Sequence, residues 1–206
     1  KSGISAGIVQ QLLMFLQHGV TPQVPSQGSV GYLTHMAHIG LALMGVGDVL
    51  WQGRTWSAAE VLSQLNLQPI APGAKEGLSL VNGTPCMTGL ACLALDDAER
   101  LMNWADVTGA MSFEALRGQL VAFDAEILAL KASPGIQTSG QRLRELLAGS
   151  RLLAESEGLR TQDALSLRSM PQVHGACRDQ FSHAQTQINI ELNACTDNPL
   201  ILGTLE

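Results

Sequence analysis

Hydrophobic residues recur along this chain at three- and four-residue steps, the spacing of helix faces rather than strands. Ile8, Leu12, Leu13 and Leu16 form the first such set, with Gly19 placed to cap it and Thr21-Pro22 to stop any continuation. A loop rich in Pro, Ser and Gly runs on to Gly31. Leu33, Met36, Ala37, Leu41 and Met44 then predict a second helix, apolar nearly all round and therefore central. "DVLWQGRTW" alternates weakly around a glycine and predicts a small surface hairpin. Ser57-Ala58-Ala59-Glu60 has the form of a capping box that opens a short helix through Leu65.

Farther on, Thr84 is placed to cap a long helix and Pro85 to begin it. Leu90, Leu93, Leu101, Trp104 and Met111 carry that helix past Leu116, with Gly109 the expected point of interruption. Residues 149–163, the most polar stretch, predict a mobile loop. Val173, Cys177, Phe181, Ala184, Ile188, Leu192 and Cys195 mark a last long helix, ended by Asn198-Pro199. No internal repeat, P-loop or dinucleotide fingerprint is present. Two long apolar-faced helices with little strand predict an all-α fold, an antiparallel bundle of long helices.

Composition narrows the classes. With 46% hydrophobic residues in 206, the chain has ample material for a core, and scarce aromatics beside abundant Leu, Ala and Gly favour close-packed helices. A net charge of -6 leaves no basic patch for nucleic acid or an anionic membrane. No apolar run reaches the roughly 18 to 20 residues that span a bilayer. Cys86, Cys92, Cys177 and Cys195 form no C-x-x-C pair and have no spaced His partners, so no zinc or other metal is expected. Cys177 and Cys195 fall on the apolar side of the last helix as small hydrophobes, which fits a reduced, cytoplasmic interior. The chain opens on Lys1 rather than Met and closes at Glu206 just after an apolar run, and is expected to be an excerpt from something longer.

Particular stretches go further. "VPSQGSVG", "AKEGLSLVNGTP", "FEALRGQLVAFD", "TQDALSLRSMPQVHGACRD" and "ELNACTDNPLI" resemble the histidine and aromatic amino acid ammonia-lyase family, in the family's order and over nearly the whole chain. The resemblance implies an almost all-helical homotetramer with a central bundle, active sites shared between subunits, and residues 1–206 as a fragment of the central helical domain without its N- and C-terminal parts. It also implies a small amino-acid substrate: the family eliminates ammonia from histidine, phenylalanine or tyrosine, and relatives move the amine from the α to the β carbon. Its electrophile is methylidene-imidazolone (MIO), made by cyclisation of an Ala-Ser-Gly tripeptide in its own chain.

That tripeptide is expected directly after "GSVG", followed by Asp-Leu. Here Gly31, which flanks the expected MIO position, is followed at once by Tyr32-Leu33-Thr34-His35-Met36-Ala37-His38. Leu33, Ala37 and His38 match the family helix, but Ala-Ser-Gly is missing and Tyr32 stands at the family's Asp. Either the tripeptide has been lost, or the matured ring, a non-standard residue, stands between Gly31 and Tyr32 without letters of its own. The family's catalytic tyrosine in "QDxYSLR" is Leu165, and the Cys after that Arg is Ser169. The substitutions at Tyr32 and Leu165 would both damage MIO chemistry.

Other positions survive. Asn82 matches the asparagine that hydrogen-bonds the electrophile and amine region; Gln162 and Asn198 match polar residues lining the same site. Arg168 matches the arginine that grips the substrate carboxylate, a task suited to its planar fork. Read without the motifs, Arg168 is an ion-pairing residue, Asn82 a turn residue and Asn198 a helix-end residue. His35 and His38 read as hydrogen-bonded core histidines, and His174 as structural or pocket-lining. Tyr32 sits at a helix N-terminus that favours negative charge, as a filler or a substitute acid. Three readings follow: a family lyase with MIO; an MIO-free lyase like the family's ergothioneine-cleaving relative, which expels trimethylamine; and a non-catalytic paralogue kept as an oligomeric partner.

Overall fold

In the computed structural model the described residues are 1–28 and 31–203. The "SV" of the "VPSQGSVG" motif and the last three residues of the C-terminal apolar run lie outside them. The chain divides into two compact units, Lys1–Gly89 with the segment from Glu191 onward, and Leu90–Ile190.

The first unit begins with α1 (Ala6–Gln17), followed by β1 (Thr21–Pro22) and α2 (Leu33–Leu43). β2 (Asp48–Trp51) and β3 (Arg54–Ser57) form the hairpin expected from "DVLWQGRTW", and β1 adds a third antiparallel strand. Gln52 and Gly53 turn the hairpin with φ of 50° and 74°, the doubly left-handed pair that a tight two-residue turn requires. Trp51 and Trp56 meet edge to face across it at 5.9 Å. α3 (Ala58–Gln64) starts with the expected capping box: Ser57 Oγ accepts the Glu60 N–H and Glu60 accepts the Ser57 N–H, both at 3.2 Å. α4 (Glu76–Val81) completes the unit. Its core joins Ile8 and Phe15 of α1 to Leu43, Val49, Val61 and Leu62. The buried face of α1 keeps Ile8 and Leu12 of the expected set, while Leu13 and Leu16 point outward and the aromatic ring of Phe15 takes the central place.

Most of α5 (Pro85–Ala115) and α10 (Met170–Leu192) belongs to the second unit. Between them lie a single 3-10 turn (Leu120–Phe123), α6 (Ala125–Ala129), α7 (Pro134–Leu147), α8 (Arg151–Ser156) and α9 (Leu165–Arg168). α5 and α10 run antiparallel here. Gly109 meets Met170 and His174, whereas Asp106 meets His174 and Arg178 farther along α10. Gly109 does not interrupt α5. A Cβ there would lie 3.2 Å from Met170 Sδ, so the glycine admits α10 instead of breaking its own helix. Among the described residues three short strands beside ten α-helices leave the fold all-α, as expected.

Glycines also set the crossing of α7 and α10. A Cβ on Gly135 would fall 2.1 Å from the Gly175 carbonyl oxygen, and one on Gly175 would fall 2.4 Å from Ile136 Cα. Asp179 of α10 caps α7, accepting from Ser133 Oγ at 2.5 Å and the Gly135 N–H at 2.8 Å. Those bonds hold its carboxyl below the usual range, with the Ser133 bond the leading cause.

Three expectations are corrected. The stretch 149–163 is not a loop: it contains α8, whose N-terminus Ser150 caps through the Leu153 N–H. Two of its polar residues are claimed from outside the stretch. Asp163 is buried and accepts the Gln119 N–H at 2.5 Å, while Arg160 donates to the Leu116 and Arg117 carbonyls at the end of α5. The last helix stops at Leu192, because Thr196 and Asp197 are bound elsewhere and draw the chain away; Cys195 lies beyond it, and Cys177 and Cys195 are both exposed. Thr84 stands before α5, but its hydroxyl donates to Glu191 rather than capping the helix.

The residues whose periodicity announced α5 are mostly uncovered within this chain; Leu101 is 70% exposed and Trp104 65%. By length and composition alone the helical stretch Glu76–Ala115 is apolar enough to cross a membrane, although its backbone is broken between α4 and α5 at Asn82–Thr84.

Candidate active site

α4 delivers Asn82. The helix ends at Val81 and Asn82 is extended, so its side chain projects beyond the last turn. Its Oδ1 accepts the Gly83 N–H at 2.8 Å and its Nδ2 donates to the Asn198 carbonyl at 3.0 Å. The structure thus brings together two of the expected residues, 116 positions apart in sequence. One N–H of the Asn82 amide is used in this bond, leaving the second for a ligand.

Tyr32 lies in the same unit, at the start of α2, with φ of 58°; the preceding Gly31 has φ of 72°. An aromatic residue in this left-handed region is an outlier. Its carbonyl accepts the Met36 N–H at 3.1 Å, and its side chain makes no capping bond. No hydrogen bond among the described residues joins Tyr32 to Asn82 or Asn198. His35, in the first turn of α2, was expected to be hydrogen-bonded, but its Nε2 is buried with no partner. His38 borders a shallow cleft with Gln23, Pro25 and Asp48.

Gln162 and Arg168 belong to the second unit. Gln162 is exposed, next to the buried Asp163 that ties this segment to Gln119. Arg168 ends α9 and is half-buried, and its Nε is shielded from water without a hydrogen-bond partner. Leu165, at the position of the family tyrosine, is exposed, and Ser169 Oγ donates to its carbonyl at 2.5 Å.

Two charged clusters were not anticipated. Lys75 opens α4 in the left-handed region and its Nζ lies 2.5 Å from Asp197 Oδ2, with the two side chains 12% and 7% exposed. Burial opposes ionisation of Asp197, but hydrogen bonds from Lys75, Ser2 and Cys195 outweigh it and hold the carboxyl far below its usual range. In the second unit Asp106, fully buried, receives Arg178 at 2.5 Å, His174 at 2.9 Å and Arg142 at 3.1 Å. Burial again opposes ionisation, and the bonds from His174 and Arg178 overcome it, lowering the pKa of Asp106. His174 is thus structural, as one of its two expected roles had it. Both clusters lie within or beside the recognisable motifs, yet partners 122 and 68 residues apart leave no mark in a sequence. Among the described residues no group of three or more His, Cys, Asp or Glu is arranged to hold a metal ion.

Comparison with known proteins places this geometry. The family model for aromatic amino acid lyases matches residues 1–205. The histidine ammonia-lyase of Symbiobacterium thermophilum is 44% identical over 203 residues, covering 97% of this chain and 40% of the relative. Among solved structures, histidine ammonia-lyase from Trypanosoma cruzi superposes with a TM-score of 0.81 at 36% identity, over 98% of this chain and 37% of that one. The ergothioneine-degrading enzyme ergothionase from Treponema denticola superposes with a TM-score of 0.91 at 28% identity, over 98% of this chain and 41% of that one. The chain therefore spans about two-fifths of the length of the curated relatives it matches.

The depressed carboxyls set the acid limit of the fold. Asp106 and Asp197 ionise at lower pH folded than unfolded, so their contribution is complete above the ordinary carboxylate value of about 4 and is lost as pH falls below it. The urea midpoint should hold steady from pH 7 to about 5 and drop steeply below 4. D106N, which strands two arginines, should lose roughly 3–5 kcal/mol at neutral pH and show a shallower acid decline. An unchanged acid decline in D106N would contradict this assignment.

Proposed function

This chain belongs to the aromatic amino acid lyase family, and we propose that it serves a carbon–nitrogen lyase that eliminates an amine from a histidine-like or aromatic α-amino acid. Arg168 carries the reading. An arginine N–H withdrawn from water without a partner costs about 1–3 kcal/mol, and a ligand carboxylate removes that cost. A guanidinium takes a carboxylate with two parallel hydrogen bonds, which fixes orientation as well as affinity. Asn82, steadied by Asn198, offers its remaining N–H to the amine end.

The elimination breaks the Cβ–H and Cα–N bonds: the proton passes to a general base, the pair from Cβ–H becomes the new double bond, and the Cα–N pair departs with the amine. Where MIO is present in the family it supplies an electrophile for this step. The residues here do not fit that group: Gly31 and Tyr32 follow one another directly, both left-handed, and α2 starts at Leu33, so no Ala-Ser-Gly stands in place to cyclise. We therefore propose an MIO-free reaction. Leu165 supports it, having no hydroxyl to offer.

A second reading concerns the leaving group. A quaternary ammonium departs as a neutral amine and needs no activation, whereas the amino group of unmodified histidine does. The likeness to ergothionase favours a substrate carrying such a group. The exposed apolar face of α5 supports a homotetramer with shared sites, and the four free cysteines suit a cytoplasmic location.

On the full-length protein, intact mass should show no loss of two waters, and borohydride should not inactivate it. A trimethylammonio analogue of histidine should release trimethylamine where L-histidine releases no ammonia; a two-water mass deficit with borohydride-sensitive ammonia release would restore the MIO reading. R168K keeps the charge but loses the fork, so carboxylate binding should weaken by about 1.5–3 kcal/mol. Unchanged binding would place the carboxylate elsewhere. Light scattering that returned only monomer at about micromolar concentration would refute the tetramer.

A further inference from the structure

Among the described residues, 193–203 contain no helix or strand, so side-chain contacts decide where Asn198 lies. Besides the Asn82 bond to its carbonyl and the bond from the Ile201 N–H to the Lys1 carbonyl at 2.8 Å, those contacts come from two places. At one, Gly83 and Thr84 hold Thr196: the Thr84 N–H donates to Thr196 Oγ1 at 3.1 Å, and Gly83, with φ of 97°, lies so near that a Cβ would sit 2.8 Å from the same oxygen and 3.0 Å from Asp197 N. At the other, at the opposite end of α4, Lys75 holds Asp197.

The second anchor is a closed network. The Lys75 ammonium donates to the Ser2 carbonyl, to Ser79 Oγ at 3.2 Å and to Asp197 Oδ2 at 2.5 Å, which uses all three of its N–H bonds. Asp197 also accepts from Ser2 Oγ at 2.8 Å and Cys195 Sγ at 3.3 Å. A buried ion pair is a poor source of stability, because apolar residues of similar volume often serve as well or better. It is, however, directional, and this one joins the residue that opens α4 to the residue just before Asn198, while α4 itself ends at Asn82.

We propose that the Lys75–Asp197 pair fixes the separation of Asn82 and Asn198, so that Lys75 and Asp197 are positioning residues for the elimination. The proposal rests on the site reading given above. Removal of the pair leaves Asn198 held by Asn82 and Thr196 and, three residues on, by the Ile201 N–H bond to the Lys1 carbonyl at 2.8 Å, so the peptide between these ties can turn its carbonyl away from Asn82.

The full-length K75M/D197L variant separates positioning from stability. Its apolar pair should keep the melting temperature within about 5 °C of wild type. Its kcat on the trimethylammonio analogue of histidine should fall at least about tenfold, with KM changed less than about threefold because Arg168 is untouched. Its crystal structure should show Asn82 Nδ2 and Asn198 O parted beyond hydrogen-bond reach. A folded variant with wild-type kcat, or with the 3.0 Å bond intact, overturns the proposal. If wild type eliminates no amine at all, the lyase reading fails, and the asparagine separation alone decides the positioning role. If the double variant does not fold, D197N, which keeps shape and loses charge, is judged by kcat and by the Asn82–Asn198 separation alone.

Discussion

A carboxylate hidden from water holds three helices of the second unit together. Asp106 lies on α5, Arg142 on α7, and His174 and Arg178 on α10. A lone buried charge is prohibitively expensive, so none of these helices can take its place unless the others supply their donors. Arg178 extends the reach, donating also to Ser139 Oγ on α7 and to Asn103 and the Met102 carbonyl on α5. The first unit repeats the logic on a smaller scale, with Lys75 and Asp197. In a chain with so few charges, the buried ones specify geometry.

What could be read from the sequence was local. The capping box at Ser57–Glu60, the Gln52–Gly53 turn and the start of α5 at Pro85 each depend on residues within a few positions of one another. What could not be read depended on distant partners. Residues 149–163 look solvent-loving until Gln119 and the end of α5 claim Asp163 and Arg160. Gly109 reads as a helix breaker until Met170 occupies the space beside it. The asparagines were legible because motifs carry them; the lysine and aspartate beside them were not, because their roles exist only once the chain has closed.

The departures from the family pattern share one direction. Tyr32 stands where an acidic residue is expected and Leu165 where a phenol is expected, so a carboxyl has given way to a phenol at one position and a phenol to an aliphatic group at the other. The parts suited to recognition remain: a guanidinium, three amides and the short helix that presents one of them.

The close crossing of α7 and α10 bears on how this chain can change over time. Gly175 admits α7, Arg178 three residues later reaches Asp106, and Asp179 caps α7. All three act toward neighbouring helices at a spacing of less than or about one turn. One residue inserted between Gly175 and Arg178 would swing the second part of the set about 100° away from the first. This stretch can therefore drift by substitution at its outward positions but not by length, and insertions or deletions should accumulate in the connections on either side of it.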